Sequence, residues 1–327
     1  MVFLPVLDLF AGAGGLSMGL AEAGFTAVAA VEANADACAT YRAHHPGTKL
    51  YEQDVATVDL ATMKGQVAVV AGGPPCQPFS VGGKRLAACD PRNGVPQFVR
   101  AVAEIRPQAF VMENVAGLAT RSAYLAGVVD ELAGLGYAVE WQVMEAVGFG
   151  IPQLRRRLFV VGARGGRFCF PAPQGPPVPA GSVIDPGRPL GQPNTSPVTY
   201  ARNPSLRPGP YHGHLWNGGG RPVDLRRPAP TMLASMGGNK TPWVDTLGIV
   251  PAYHAHLVAG GPARHGRVPG ARRITVDEAA LVQGFPAGTT FCGPRSSQYR
   301  QVGNAVPPPL ARAVGTALHE VLAGRRG

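Results

Sequence analysis

Apolar and polar positions along the first half of the chain fall into two alternating textures. Short unbroken apolar runs are followed by longer stretches with apolar residues at helical spacing. The run "VFLPVLDLF" predicts a strand, and "LSMGLAEAG" a helix stopped by Gly24. A second strand, "TAVAAVE", ends in Glu32, and "NADACATYRAHHP" follows as a helix capped by Asn34. "LYEQDV" and "GQVAVVAGG" read as the third and fourth strands, "QFVRAVAEIRP" as a helix, "QAFVMENV" as the fifth strand and "YLAGVVDELAGLG" as the next helix. "YAVEWQVM" and "RRLFVVGAR" close the series as strands. This alternation predicts an α/β fold, Rossmann-like and doubly wound, on a mostly parallel sheet. In such sheets ligands gather at the carboxyl ends of the strands.

The texture changes after about residue 170. "FPAPQGPPVPAGSVIDPGRPLGQPNTSP" is rich in Pro and Gly and has no period, and from there to about residue 270 the chain reads as loop-rich. "RRITVDEAALVQGFP" restores a helical pattern, and "PPPLARAVGTALHEVLAG" predicts a terminal helix with prolines before its first turn. The expected organisation is a catalytic and cofactor-binding domain of residues 1–185 plus 290–327, a smaller domain of residues 186–271 and a hinge region of residues 272–289.

Composition narrows the classes. With 327 residues, 45% of them hydrophobic, the chain can bury one large core or two modest ones. No window is long and apolar enough to cross a bilayer, and "MVFLPVLDLF" lacks a basic leader and a small-residue cleavage site, so neither membrane contact nor secretion is expected. The five cysteines are odd in number and form no CxxC pair, which argues against disulfides and structural zinc and points to a reducing cytoplasm. No cysteine partners His212, His214, His254, His256 or His265 at ligand spacing, so no metal is expected. The net charge of +10 points to a polyanionic partner, nucleic acid first, although an Arg-rich compositional bias accounts for it as well.

The candidate chemistry clusters at predicted strand ends. "DLFAGAGGLS" turns from the first strand into the first helix, where Gly12, Gly14 and Gly15 let the backbone approach a ligand closely. Glu32 lies 20 residues after Gly12, where a carboxylate can hold two ribose hydroxyls. Ser17 stands where a dinucleotide fingerprint has its third glycine, which favours a nucleoside cofactor without a pyrophosphate. Asp54, after the third strand, can accept from an adenine amino group or serve as a turn aspartate. Cys76 follows Pro74 and Pro75 and precedes Pro78. Prolines fix φ and remove amide donors, so this thiol is held rigidly at the ligand edge, unlike a packed core cysteine. Glu113 ends the fifth strand beside the same edge; burial there would raise its pKa and let it donate a proton, while a capping or salt-bridging role fits it in isolation. Arg155 and Arg157 lie two apart on one face of a strand and can aim two guanidinium groups into one site.

Together, "DLFAGAGG", "GGPPCQPFS", "ENV", "QLRRR", "QGFP" and "GNAVPPPLA" resemble the cytosine-5 DNA methyltransferase family in order and spacing, over roughly residues 6–162 and 272–312. The resemblance implies the S-adenosylmethionine-dependent methyltransferase fold with a small target-recognition domain, S-adenosylmethionine as cofactor, S-adenosylhomocysteine as product and double-stranded DNA as substrate. Position by position it implies Cys76 as the nucleophile toward cytosine C6, Glu113 as the group engaging N3 and the exocyclic amine of a flipped base, and Arg155 and Arg157 as the orienting pair. Phe10, Gly12, Gly14, Gly15, Glu32, Asp54, Val55, Pro75, Asn304 and Val306 match positions lining the cofactor pocket. Ser80 follows the DNA-enzyme pattern, and the Cys-Phe-Thr signature of the tRNA-modifying branch is missing.

In the loop "VGGKRLAACDPRNG", Lys84 and Arg85 are candidates for phosphate contact or for an ordinary solvated surface. Arg221 and Thr231 are expected to meet DNA, Thr231 at a phosphate. Trp216 or Met236 fills the gap left by the flipped base, or else packs the small domain's core. The short recognition region implies a stand-alone monomeric methylase of the restriction–modification type, acting in the cytoplasm on nucleoid DNA. An endonuclease acting on the same sequence, without direct contact, is the partner so implied. Competing readings are an RNA cytosine methyltransferase, disfavoured by Ser80; a silent DNA-binding protein, disfavoured by the intact Cys76, Glu113, Arg155 and Gly12; and a nicotinamide dehydrogenase, disfavoured by Ser17.

Overall fold

A computed structural model describes residues 4–75, 93–217 and 220–324. In chain order the elements begin β1 (Pro5–Leu9), α1 (Gly15–Glu22), β2 (Thr26–Val31), α2 (Ala35–His44), β3 (Lys49–Tyr51), β4 (Val69–Gly72), α3 (Val95–Ile105) and β5 (Ala109–Val115). They continue α4 (Ser122–Gly134), β6 (Ala138–Glu145), β7 (Gln153–Leu154), β8 (Arg156–Ala163), β9 (Tyr200–Ser205), β10 (His214–Trp216) and β11 (Ala229–Pro230). The remainder are β12 (Trp243–Asp245), α5 (Ile249–Val258), β13 (Ala271–Arg273), α6 (Val276–Gln283), α7 (Arg295–Asn304) and α8 (Pro308–Leu322).

The chain forms two compact units: Met1–Phe149 with Arg156–Gly175 and Ala305–Gly327, and Gly150–Arg155 with Pro176–Asn304. The first unit is built on a seven-stranded sheet of order β3-β2-β1-β4-β5-β8-β6. Strands β1 to β5 run parallel, and β8 lies antiparallel between β5 and β6. The expected α/β fold with a mostly parallel sheet is therefore present. The order reverses between β1 and β4, the switch point at which parallel sheets open a crevice outside their carboxyl ends.

Local sequence accounts for these elements. β4 and most of β5 are buried on both faces, as their unbroken apolar runs require. The Asn34 side chain accepts from the Ala37 amide at 3.0 Å and starts α2. α3 turns Val95, Phe98, Val99, Val102 and Ile105 into the core at helical spacing. α1 packs closely on α8, because Gly19 has no side chain: a Cβ there would lie 2.2 Å from the Pro308 carbonyl oxygen. The third strand is shorter than expected, and Asp54 begins a short helical turn over Val55–Thr57 after it.

The second unit has small sheets, β9 with β10, β7 with β11 and β12 with β13, around a core of Leu215, Trp216, Trp243, Val250, Tyr253 and Val268. Its helix α6 opens with a capping box, Thr275 against Glu278, and buried Glu278 takes both Arg272 nitrogens at 2.8 Å. This unit is larger than residues 186–271. It holds α6 and α7, together with the segment 150–155, because Gln153 donates to Val282 and Gln283 and accepts from the Met232 amide.

In sequence, Trp216 and Met236 are open between a DNA role and the small domain's core, and both are buried. Trp216 is 6% exposed and stands edge-on to Trp243 at 5.1 Å, and Met236 is 4% exposed. Both are packed side chains.

Candidate active site

The carboxyl ends of β2, β1, β4 and β5 bring the sequence-selected residues of the first unit to one edge. The turn after β1 has Phe10 at φ 56°, Gly12 at 55° and Gly14 at 85°. Left-handed backbone at a phenylalanine is strained, and it persists where the surroundings impose it. The Gly12 amide donates to Glu32 Oε2 at 2.9 Å, and the Asn34 amide donates to Oε1 at 2.8 Å. The carboxylate is thus fixed in place with lone pairs to spare. Apart from its chain neighbours, no atom of the described residues lies within 4 Å of where Gly12 would carry a Cβ, so this side of the turn is open among them. A fixed carboxylate beside an open glycine turn fits a nucleoside cofactor. Gly15 opens α1, and Val55 is buried with its carbonyl accepting from Arg100 at 2.7 Å. Asp54 spends Oδ1 on the Ala56 amide at 2.8 Å.

Beneath this turn lies a polar chain that sequence reading did not select. Ser17, in the place of the missing fingerprint glycine, donates to Asp8 Oδ2 at 2.6 Å and lies 2.8 Å from the Tyr41 hydroxyl. The Tyr41 ring packs on His45, whose Nε2 is 3.3 Å from the Gly14 carbonyl oxygen. Burial pushes the Asp8 carboxyl up to about 7, against the Ser17 bond that favours its charge. Burial also raises Tyr41 and lowers His45.

A carboxyl raised in the folded state binds its proton more tightly there than in the unfolded chain. Its contribution is fully present below the unfolded value of 3.8 and is lost as pH rises through about 7. Urea unfolding of the wild type is expected to weaken by roughly 2–3 kcal/mol from pH 5 to pH 8, and Asp8→Asn to flatten that slope. An unchanged slope in the variant would remove Asp8 as its source. An aspartate inside "VLDLF" was the available sequence signal, since a charge amid a strand run is buried and needs a partner.

At the β4–β5 edge, Glu113 Oε1 pairs with Arg157 Nε at 2.9 Å. Arg157 stands on β8, opposite Val115 in the register. Burial pulls its guanidinium below its ordinary value, and Glu113 opposes that. Glu113 Oε2 lies 3.3 Å from where Gly73 would carry a Cβ, and Val306 closes on the same point at 4.0 Å. The chain leaving β4 is anchored at both prolines: Asn114 Nδ2 donates to the Pro74 carbonyl at 3.0 Å, and the Gly94 amide to the Pro75 carbonyl at 2.9 Å. Asn114, the middle residue of "ENV", thus holds the stiff segment that leads to position 76. Cys76, Ser80, Lys84 and Arg85 lie outside the described residues.

Residues of the second unit are placed differently. Arg155 is 1% exposed, and its guanidinium donates to the carbonyls of Met232 and Gly303 at 3.0 Å each. Thr231 donates to the Leu154 carbonyl at 2.5 Å. Arg221 is exposed, and exposed Asn304 ends α7. Among the described residues no group of three or more His, Cys, Asp and Glu side chains is placed to hold a metal ion, and no helix is long and apolar enough to cross a membrane.

The model of the family described as C-5 cytosine-specific DNA methylase matches residues 4–176 and 238–320. Type II methyltransferase M1.HphI of Haemophilus parahaemolyticus is 36% identical over 329 residues, covering 96% of this chain and 86% of that protein. Type II methyltransferase M.NgoMIV of Neisseria gonorrhoeae is 32% identical over 328 residues, covering 97% of each. Among solved structures, a mutant DNMT2 of Spodoptera frugiperda shares the fold with a TM-score of 0.73 at 18% identity, covering 98% of this chain and 99% of that one.

Proposed function

The chain belongs to the C-5 cytosine-specific DNA methylase family, and we propose that it methylates C5 of a flipped-out cytosine within a specific duplex sequence through a covalent bond from Cys76 to C6. Its activity is DNA (cytosine-5-)-methyltransferase. The observation that carries the reading is the paired Glu113, set against Gly73 three residues before Cys76 at the carboxyl edge of β4 and β5. A target inside a base stack must leave it, at a cost of a few kcal/mol.

Glu32, held by the Gly12 and Asn34 amides, would hold the ribose hydroxyls of S-adenosylmethionine beside the glycine turn. Bound there, the cofactor supplies an electrophilic methyl group on a sulfonium. The Cys76 thiolate adds to C6, which breaks ring aromaticity and moves an electron pair toward C5. Glu113 in its protonated form gives its proton to N3 as negative charge develops there, and the carboxylate left behind is held by Arg157. Loss of the C5 proton after methylation expels the thiolate and restores the ring. A displacement of the attacking sulfur by about 1 Å costs on the order of a hundredfold, and the two residues before it in the chain, Pro74 and Pro75, have their carbonyls anchored.

The Type II names of the relatives support a restriction–modification role; the proposal adds a separate endonuclease acting on the same sequence and a monomeric methylase working on cytoplasmic, nucleoid DNA. The net charge of +10 supports a polyanionic substrate. Bisulfite sequencing of DNA from cells expressing the chain tests the proposal. One cytosine within one short sequence is expected to resist conversion. A fully converted genome, or protected cytosines in RNA alone, would overturn it.

A further inference from the structure

We propose that His45 is a positioning residue for the cofactor turn of the first unit: it buttresses the Gly14 side of the turn and leaves the Gly12 side open to the ligand. The proposal rests on the functional reading above, in which the turn and Glu32 hold S-adenosylmethionine. Gly12 and Gly14 both stand in left-handed backbone, but against different surroundings. Apart from chain neighbours, no atom of the described residues lies within 4 Å of a Cβ on Gly12. A Cβ on Gly14 would collide with His45 Nε2, with His45 Cδ2 at 2.7 Å and Tyr41 Cδ2 at 3.1 Å. One glycine of the turn leaves room for a ligand, and the other makes room for the imidazole.

The imidazole is itself fixed. His45 follows the last residue of α2; its amide donates to the Tyr41 carbonyl at 2.8 Å, and its carbonyl accepts from the Thr48 amide at 3.1 Å. Its ring packs on Tyr41 with centroids 4.4 Å apart, and the Tyr41 hydroxyl meets Ser17, which donates to Asp8. Asp8 lies on β1 and Ser17 on α1, the two elements that the turn joins. His45 Nε2 is 3.3 Å from the Gly14 carbonyl oxygen. A carbonyl only accepts, so this ring nitrogen carries the hydrogen. The same carbonyl takes the Met18 amide at 2.8 Å, and its second lone pair serves His45. At the other end of α2, the Asn34 amide donates to Glu32 Oε1 at 2.8 Å. One helix thus supports the carboxylate from its start and the glycine turn from its end. Glycine has more backbone freedom than any other residue, so a turn without this support must be ordered again by each ligand, at a cost in affinity.

The test measures S-adenosylhomocysteine affinity of the full chain by calorimetry in the wild type, His45→Leu, His45→Gln and His45→Ala, at a temperature where melting curves show each to be folded. Leucine fills the space against Tyr41 but has no donor, and affinity is expected to fall by about tenfold, as one hydrogen bond is lost and the turn is left to be ordered on binding. Glutamine carries an N–H to about the reach of Nε2 and is expected to bind within about threefold of wild type. Alanine is expected to weaken binding at least as much as leucine, and it decides the case if the leucine variant does not fold. In methyl transfer, KM for S-adenosylmethionine is expected to follow these affinities, with kcat at saturation within about twofold of wild type. Leucine and alanine variants that melt lower yet bind the product as the wild type does would overturn the proposal and leave His45 a support of α2 alone. So would a glutamine variant as weak as leucine, or a loss confined to kcat. A wild type that binds no S-adenosylhomocysteine would instead withdraw the cofactor reading beneath the proposal.

Discussion

Cys76→Ser is expected to abolish methyl transfer while leaving S-adenosylhomocysteine and duplex binding within about threefold of wild type. A thiol is a strong nucleophile and a few per cent of it is already thiolate at neutral pH, whereas a serine hydroxyl needs an added base. Addition to C6 is the event that makes C5 reactive, so the loss falls on kcat. Its size is on the order of 10⁴-fold or more, about 5.5 kcal/mol of barrier at 1.36 kcal/mol per decade. The oxygen should otherwise fit, because the segment before it is held by Asn114 and Gly94. Single-turnover transfer of a labelled methyl group measures the rate, and duplexes with 5-fluorocytosine at the target measure the bond. The wild type should form an adduct that survives denaturation, and the variant none. An active serine variant would withdraw the nucleophile assignment.

Glu113→Gln is the second large effect, and it has two separable parts. The amide keeps the shape of the side chain but carries neither the charge nor the proton, so turnover should fall by about 10²–10⁴-fold. The same change leaves Arg157 without its counter-charge at a site where the two side chains are only 14% and 8% exposed. Breaking a buried pair from one side costs about 3–5 kcal/mol, and the melting midpoint should drop accordingly. The double variant Glu113→Gln with Arg157→Gln removes the orphaned cation and should regain part of the midpoint without regaining activity. Recovery of activity together with stability would mean that the carboxylate supports the fold and takes no part in the chemistry.

Much of the first unit was legible because its determinants are local. Buried strands of a parallel sheet are apolar on both faces, so β1, β2, β4 and β5 stand out as short runs, and Asn34 and Gly24 mark helix ends that are present. Two helices of the second unit were not legible. α7, "RSSQYRQVGN", has few apolar side chains, and α5, "IVPAYHAHLV", carries a proline and two histidines in its ten residues. Each is held by tertiary packing that overrides weak local preference. β8 was expected as a strand, but its antiparallel direction is a property of the register with β5 and β6.

The candidate site divides in the same way. Residue identity at strand ends located the glycine turn, Glu32 and Glu113, because chemistry at a sheet edge needs particular side chains at particular chain positions. It left open what each side chain does there. Glu113 was open between a cap, a salt bridge and a proton donor, and it pairs with Arg157; Trp216 was open between DNA and the core, and it packs on Trp243.

By itself the sequence determined the α/β class, the order of the strands along the chain and the identity of the family, since periodicity, turn chemistry and motif spacing are all properties of neighbouring residues. Only the tertiary structure decided that Asp8 is buried against Ser17 and Tyr41, and that Arg155 bridges Met232 and Gly303. Those partners come together through the folding of distant segments, and burial, which turns a polar side chain into a strut or a proton trap, exists only once that folding is complete.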